Sequence, residues 1–438
     1  MNNNPPPSPA PSPPFFFHQG PYVYALYNYY GFSKGAIGQL FIMGFGSSML
    51  FGTVVGGFAD KYGRKANCIL FAVLYSIGCI TKHFNNYWIL MFGRLMGGIS
   101  TSILYSAFET WMIHEHKAAA FPDDWLSSTF SAMTFGSGAV AIVAGLFASF
   151  LAASISLVAP FDASMLLLIL GGFIITTRWR ENYGTNDAGA RTSSGWDSFG
   201  KAWKLLVSSE RVLLLGVIQS CFESAMYIFV FMWTPALESA LRAAALSDPT
   251  TAIALAAGGA APAPPPLPHG VVFAGFMVCL MIGSKVFEQL VQHRSVEHIA
   301  RWVFVVASAS LAIPILVSSH NLVLVGFCIF EVCCGIYFPS AGTMRSKYIP
   351  EEMRSTVMNV FRIGLNLIVV LVLMNIDSMA TDTVFLIATL LLTAATLAQH
   401  RLFVLSEQNS TTEDRSRVGL EVGEEMDDVL KTKEDASA

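Results

Sequence analysis

The chain has 438 residues, of which 53% are apolar and 12% aromatic while 13% carry charge, about half the charged share of an ordinary soluble domain. That make-up excludes a water-soluble globule, a coiled coil, a collagen-like rod and a disulfide-knit secreted fold, and points to one bundle of membrane helices. The net charge of −4 comes from the C-terminal end, where ten Asp/Glu face four Lys/Arg between Ser406 and Ala438; the rest is slightly basic, without the basic face that nucleic acid requires.

Residues 1–14 are mostly Asn, Pro and Ser; they read as a disordered N-terminus with no cleavable-signal pattern. The stretch from Phe15 to Tyr30 is too short to cross about 30 Å of hydrocarbon and is broken by Gly20 and Pro21, so the first helix reads as truncated. Apolar runs follow near Ala36–Ala59, Asn67–Phe84, Tyr87–Ile113, Ser127–Ala152 and Pro160–Thr177, giving an N-terminal bundle over 15–177. A polar linker is expected over 178–211. The second set runs near Val212–Thr234, Gly270–Gln289, Trp302–Ser318, Leu322–Met344, Thr356–Met374 and Thr383–Val404, a C-terminal bundle over 212–404. An outer Ala/Pro-rich loop from Glu238 to Pro268 and an acidic, disordered tail over 405–438 complete the chain.

Cytoplasmic loops retain Lys and Arg. With the linker inside, Lys34, Lys82 and Arg242 fall outside, Arg94, Lys285 and Arg362 lie within spans, and the other Lys/Arg of the total of 26 are cytoplasmic. Both termini are then cytoplasmic if the opening half-helix crosses. The seven cysteines (Cys68, Cys79, Cys221, Cys279, Cys328, Cys333 and Cys334) all sit in apolar runs and read as core residues rather than disulfide or metal ligands.

The turn after the first long span reads Gly56-Gly57-Phe58-Ala59-Asp60-Lys61-Tyr62-Gly63-Arg64-Lys65. Small residues let two helices approach, and Gly63 permits a tight reversal before two cations. This resembles the loop after the second helix of the major facilitator superfamily, which implies an all-α membrane fold of two six-helix halves and a gate closing the cytoplasmic side. The resemblance makes Asp60, Gly63 and Arg64 gating residues, with Glu109 as the acid at the inner end of the fourth helix. Phe92-Gly93-Arg94-Leu95-Met96-Gly97-Gly98 is similar to a second superfamily motif, a buried Arg in the fourth helix.

Further segments narrow the resemblance to the eukaryotic molybdate-anion transporters: Pro21-Tyr22-Val23-Tyr24, Ser106-Ala107-Phe108-Glu109-Thr110-Trp111, Glu181-Asn182-Tyr183, Phe222-Glu223-Ser224, Phe231-Met232-Trp233-Thr234-Pro235, Tyr337-Phe338-Pro339-Ser340 and Asn359-Val360-Phe361-Arg362. The resemblance implies secondary active uptake of molybdate or a similar small anion across the cell membrane.

Four charges fall deep in spans: Arg94, Arg362, Glu223 and Glu331. Such groups cannot face lipid, so they are expected to surround an aqueous cavity between the halves. A guanidinium presents a planar fork that matches two oxygens of a tetrahedral dianion, so Arg94 and Arg362 could clamp it across the interface. The acids either neutralise the arginines or carry a coupling proton. Tyr337 and Asn366 are substrate-binding candidates with them, and Tyr22, Tyr24, Gln219 and Tyr227 could donate further hydrogen bonds. His114-Glu115-His116 spaces its histidines by two, which points them to different helix faces, so it reads as a helix end near the gate. Lys285 and Glu288 form a local pair.

The sequence has no Gly-rich phosphate loop, no nucleophile elbow and no zinc spacing, so an enzyme, a cofactor, a bound metal and ATP-driven transport are not implied. The alternatives to molybdate transport are another solute, an organic anion or sugar, and a non-transporting receptor or scaffold.

Overall fold

The computed structural model describes residues 20–122, 124–183, 195–247 and 269–435. The first 14 residues and the Ala/Pro-rich segment from 248 to 268 lie outside them, as do the side chains of Tyr24 and Asp60. The described chain is helical: α1 Gly20–Tyr29, α2 Lys34–Tyr62, α3 Arg64–Ile80, α4 Tyr87–Leu104, α5 Ala107–Ala118, α6 Asp124–Ser154 and α7 Ala159–Arg178 form one half. After α8, Gly195–Ser208, the second half holds α9 Glu210–Ser247, α10 His269–Leu290, α11 Val296–Leu316, α12 His320–Tyr348, α13 Arg354–Asn375 and α14 Thr381–Asp435. Nine helices among the described residues are long and apolar enough to cross a membrane.

Each half has its own apolar core, one around Leu26, Leu40, Phe71 and Phe161 and one around Phe222, Phe304, Phe327 and Phe361. The halves meet where α2 packs on α13 and α6 packs on α10 and α12. Polar contacts stitch these seams: Asn366 donates to Ser48 at 3.4 Å and Ser131 donates to the carbonyl of Ser284 at 2.6 Å. Within the first half, α4 lies close on α2 because Gly98 carries no Cβ, which would stand 2.2 Å from the Gly44 carbonyl oxygen.

Four expectations change. The span expected from Tyr87 to Ile113 is two helices, α4 and α5, broken at Tyr105 and Ser106. Thr101 and Ser106 donate back to the carbonyls of Gly97 and Ser102, at 2.7 and 2.8 Å, and such back-bonding bends a helix. The 178–211 linker contains α8, which buries Ala202 and leaves Lys201, Trp203, Lys204 and Val207 exposed. Helix α9 runs on through Pro235 to Ser247, so the segment expected as a loop from Glu238 begins as helix. The tail expected to be disordered continues α14 as far as Asp435; once a span has nucleated a helix, adding residues to its end costs little.

Candidate functional site

A cavity of about 190 Å³ lies between the halves, room for a small ion and several waters. The first half supplies Arg94 from α4, Ser48 from α2 and Lys82 from the turn after α3, and the second supplies Tyr227 from α9 with Arg362 and Asn366 from α13. Arg94 and Arg362, expected to meet, line this one space. Arg94 donates from Nε to the Leu40 carbonyl at 3.1 Å and lies 4.4 Å from the centroid of Phe41. Arg362 is 3% exposed and lies 4.3 Å from the centroid of Tyr105, the residue that the α4–α5 break turns toward the second half. Among the described residues, no group accepts a hydrogen bond from its buried Nε and Nη1, two donors that an acceptor in the cavity would satisfy. Among the described residues, no Asp or Glu lines the cavity.

The expected acids go elsewhere. Glu223 accepts a hydrogen bond from Tyr337 at 3.1 Å, and Tyr337 stacks on Phe222 with centroids 3.9 Å apart. Glu223 sits within the fields of both Arg362 and Arg345 and is not one of the residues that line the cavity. Glu331 is buried on α12 near Cys279, Cys328 and Cys334, so the structure does not bring it to the cavity. Tyr22 pairs with Ser149, Tyr227 meets the hydroxyl of Tyr105 at 3.2 Å, and Gln219 accepts from Arg345.

On the linker side the two halves are tied together. Arg345 of α12 donates to both carboxylate oxygens of Glu109, at 2.8 and 2.6 Å. Arg64 is fully buried; it donates to the carbonyls of Thr110 at 3.2 Å and Glu351 at 2.9 Å, with the Glu351 carboxylate at 3.5 Å. His114 meets that carboxylate at 2.5 Å. Glu109, expected as the acid of the gate, is bound by Arg345 across the interface. Gly63 has φ 112°, and a Cβ there would stand 2.4 Å from the carboxylate of Glu181. That carboxylate accepts from the amides of Lys65 and Ala66 at 2.8 and 3.1 Å, satisfying donors that a helix start leaves open. His114 and His116 point apart, the latter to the carbonyl of Pro122 at 3.0 Å. Lys285 and Glu288 form the expected local pair at 2.7 Å.

Sequence reasoning missed Lys82, Arg345, Glu351 and Glu181. It placed Lys82 in an outer loop, whereas the side chain is 4% exposed and faces the cavity. Arg345 and Glu351 carried no local signal, because their partners lie 236 and 237 residues away.

Against known proteins, a family described as sugar transporters with 12 transmembrane segments, within the major facilitator superfamily, matches residues 16–333. A Xenopus laevis molybdate-anion transporter is 33% identical over 408 residues, which cover 90% of this chain and 83% of that protein. One from Takifugu rubripes is 31% identical, with 83% and 77% covered. The chain belongs to the molybdate-anion transporter family. Among solved structures, the Escherichia coli fucose:proton symporter superposes with a TM-score of 0.64 at 16% identity, covering 89% of this chain and 97% of that one. The human organic anion transporter gives 0.60 at 12% identity, with 88% and 89% covered. These distant likenesses carry the fold alone. The family and the fold together make the chain a multi-pass membrane transporter.

Proposed function

We propose that the chain takes up molybdate, or a small oxyanion like it, across the cell membrane by alternating access. The observation that carries this reading is Arg362, buried on the wall of the cavity that Arg94 also lines, with no acceptor for its Nε and Nη1 among the described residues. A tetrahedral oxyanion supplies the acceptors those donors lack, and planar forks from two halves hold it while the halves move. In this reading Glu109, Arg345, Arg64 and Glu351 hold the linker side shut beneath the cavity. In this reading the linker and tail are cytoplasmic, and the energy comes from an ion gradient. The candidate for a coupling proton in this reading is Glu223, which the field of the cavity arginine and that of Arg345 both reach.

Uptake into vesicles reconstituted with the full chain tests it, with molybdenum counted by mass spectrometry beside sulfate and a panel of sugars. Molybdate accumulating above protein-free vesicles is the expected result. Sugar uptake without oxyanion uptake would overturn the reading.

A further inference from the structure

Lys82 stands in the short turn Thr81–His83 at the end of α3 and is 4% exposed. Its ammonium donates to the Tyr27 hydroxyl at 2.5 Å and lies 4.7 Å from the centroid of the same ring. The hydroxyl of Tyr30 donates to the Lys82 carbonyl, also at 2.5 Å, so backbone and head group are both held in place by α1 and the residue after it. A single acceptor serves a group with three N–H donors. Among the described residues, no carboxylate comes within ion-pair distance of Lys82, Arg94 or Arg362. All three cations line the one cavity, and Lys82 lies within the field of Arg94. Glu223 acts on Arg362 from beyond ion-pair distance, and buried charges without a close partner are among the costliest features a membrane bundle can hold; a bound anion would offset all three.

We propose that Lys82 is the specificity residue that makes the site prefer a dianion to a monoanion of the same shape, its ammonium passing from the Tyr27 hydroxyl to an oxygen of the anion bound between Arg94 and Arg362. This rests on the oxyanion reading above and adds to it. The arginine forks recognise the tetrahedral arrangement of oxygens, which molybdate and perrhenate share. A lysine is a compact point charge with little demand on geometry. Coulomb attraction scales with the product of the charges, so each added cation favours a dianion twice as much as a monoanion. Removing Lys82 therefore costs molybdate more than perrhenate.

The test is equilibrium binding of molybdate and perrhenate to the purified full chain and to Lys82→Gln, Lys82→Met, Lys82→Arg and Tyr27→Phe, each compared with its ligand-free melting curve. The parent should prefer molybdate. Lys82→Gln should lose roughly 10- to 100-fold in molybdate affinity, the scale of one charge-assisted hydrogen bond, and lose less for perrhenate, so that the ratio narrows. Lys82→Met removes the charge at similar length and gives the same readout if the Gln variant folds poorly. Lys82→Arg should keep the ratio, and Tyr27→Phe should bind molybdate as well as the parent or better. If the parent binds molybdate and the charge-removed variants keep its affinity and ratio, the role of Lys82 is overturned while the oxyanion site stands. If the parent binds neither anion, the oxyanion reading falls and this inference with it.

Discussion

Arg345 grips Glu109 through two parallel hydrogen bonds, Nε to Oε1 at 2.8 Å and Nη2 to Oε2 at 2.6 Å, with both side chains largely buried. The pair joins α12 to α5 and so exists only while the linker-side ends of the halves are together. Breaking a buried pair by removing one partner costs about 3–5 kcal/mol, and here that cost falls on the closed form alone. Glu109→Gln and Arg345→Met should therefore shift the population toward the form open on the linker side. Alkylation of a cysteine introduced at the buried Ser355, above the background of the native cysteines, reads this out. The double substitution, which strands no charge, should fold better than either single one yet still label faster than the parent. Labelling at the parental rate in all three would count against the pair as a closure.

Gly63 is tied to Glu181 by geometry alone. At φ 112° and ψ 142° the position suits glycine, and another residue costs about 1–3 kcal/mol there. A Cβ would also displace the carboxylate that holds the first amides of α3, adding about 0.5–2 kcal/mol, the worth of a helix cap. Gly63→Ala should lower the melting temperature in detergent more than Glu181→Ala does. The double variant should lose less than the sum, because the cap is lost once. A Gly63→Ala chain melting with the parent would remove this explanation for the glycine.

Arg94, Arg362 and Asn366 were legible in the sequence because charged and amide groups inside apolar runs must face water or a partner. Lys82 was not, because it stands at the end of a run, where a lysine ordinarily points to solvent; the turn after α3 sends it inward instead. Glu331 misled for the opposite reason. A carboxyl in mid-span suggests a central path, but its side of α12 packs near the thiols of Cys279, Cys328 and Cys334. The linker-side cluster was half legible: the motif around Gly63 pointed to Arg64 and Glu109, while their cross-interface partners Arg345 and Glu351 are paired by the fold and by no spacing along the chain. The tail was misjudged from charge, which speaks to solubility more than to whether a helix propagates beyond its span.

The orientation has its own check. The distribution of basic residues predicts a cytoplasmic linker and C-terminal end, and Asn409-Ser410-Thr411 forms a glycosylation sequon just after the last span. Asn409 should remain without glycan in cells, while a sequon placed in the 248–268 segment should acquire one. The opposite pattern on an enzymatic deglycosylation gel would reverse the topology.

The two cavity arginines make a prediction with opposite signs for stability and binding. Arg362 stacks on Tyr105, and among the described residues no group accepts from its buried Nε and Nη1, so Arg362→Met removes a buried charge that no close protein group pairs. Replacing buried ions with apolar groups of similar volume is often neutral or stabilising by about 1–4 kcal/mol; the ligand-free melting temperature should hold or rise while molybdate binding is lost. Lysine at either position keeps the charge but loses the fork, and at 362 also the flat face against Tyr105. Arg362→Lys and Arg94→Lys should each weaken molybdate binding by roughly 1–3 kcal/mol, the scale of a charge-assisted hydrogen bond. A merely structural role gives a different pattern: Arg94, which holds the Leu40 carbonyl, would then melt lower when changed, with binding reduced in proportion to the unfolded fraction. If both lysine variants melt like the parent and bind molybdate like the parent, the clamp is refuted and the arginines are helix-locking groups.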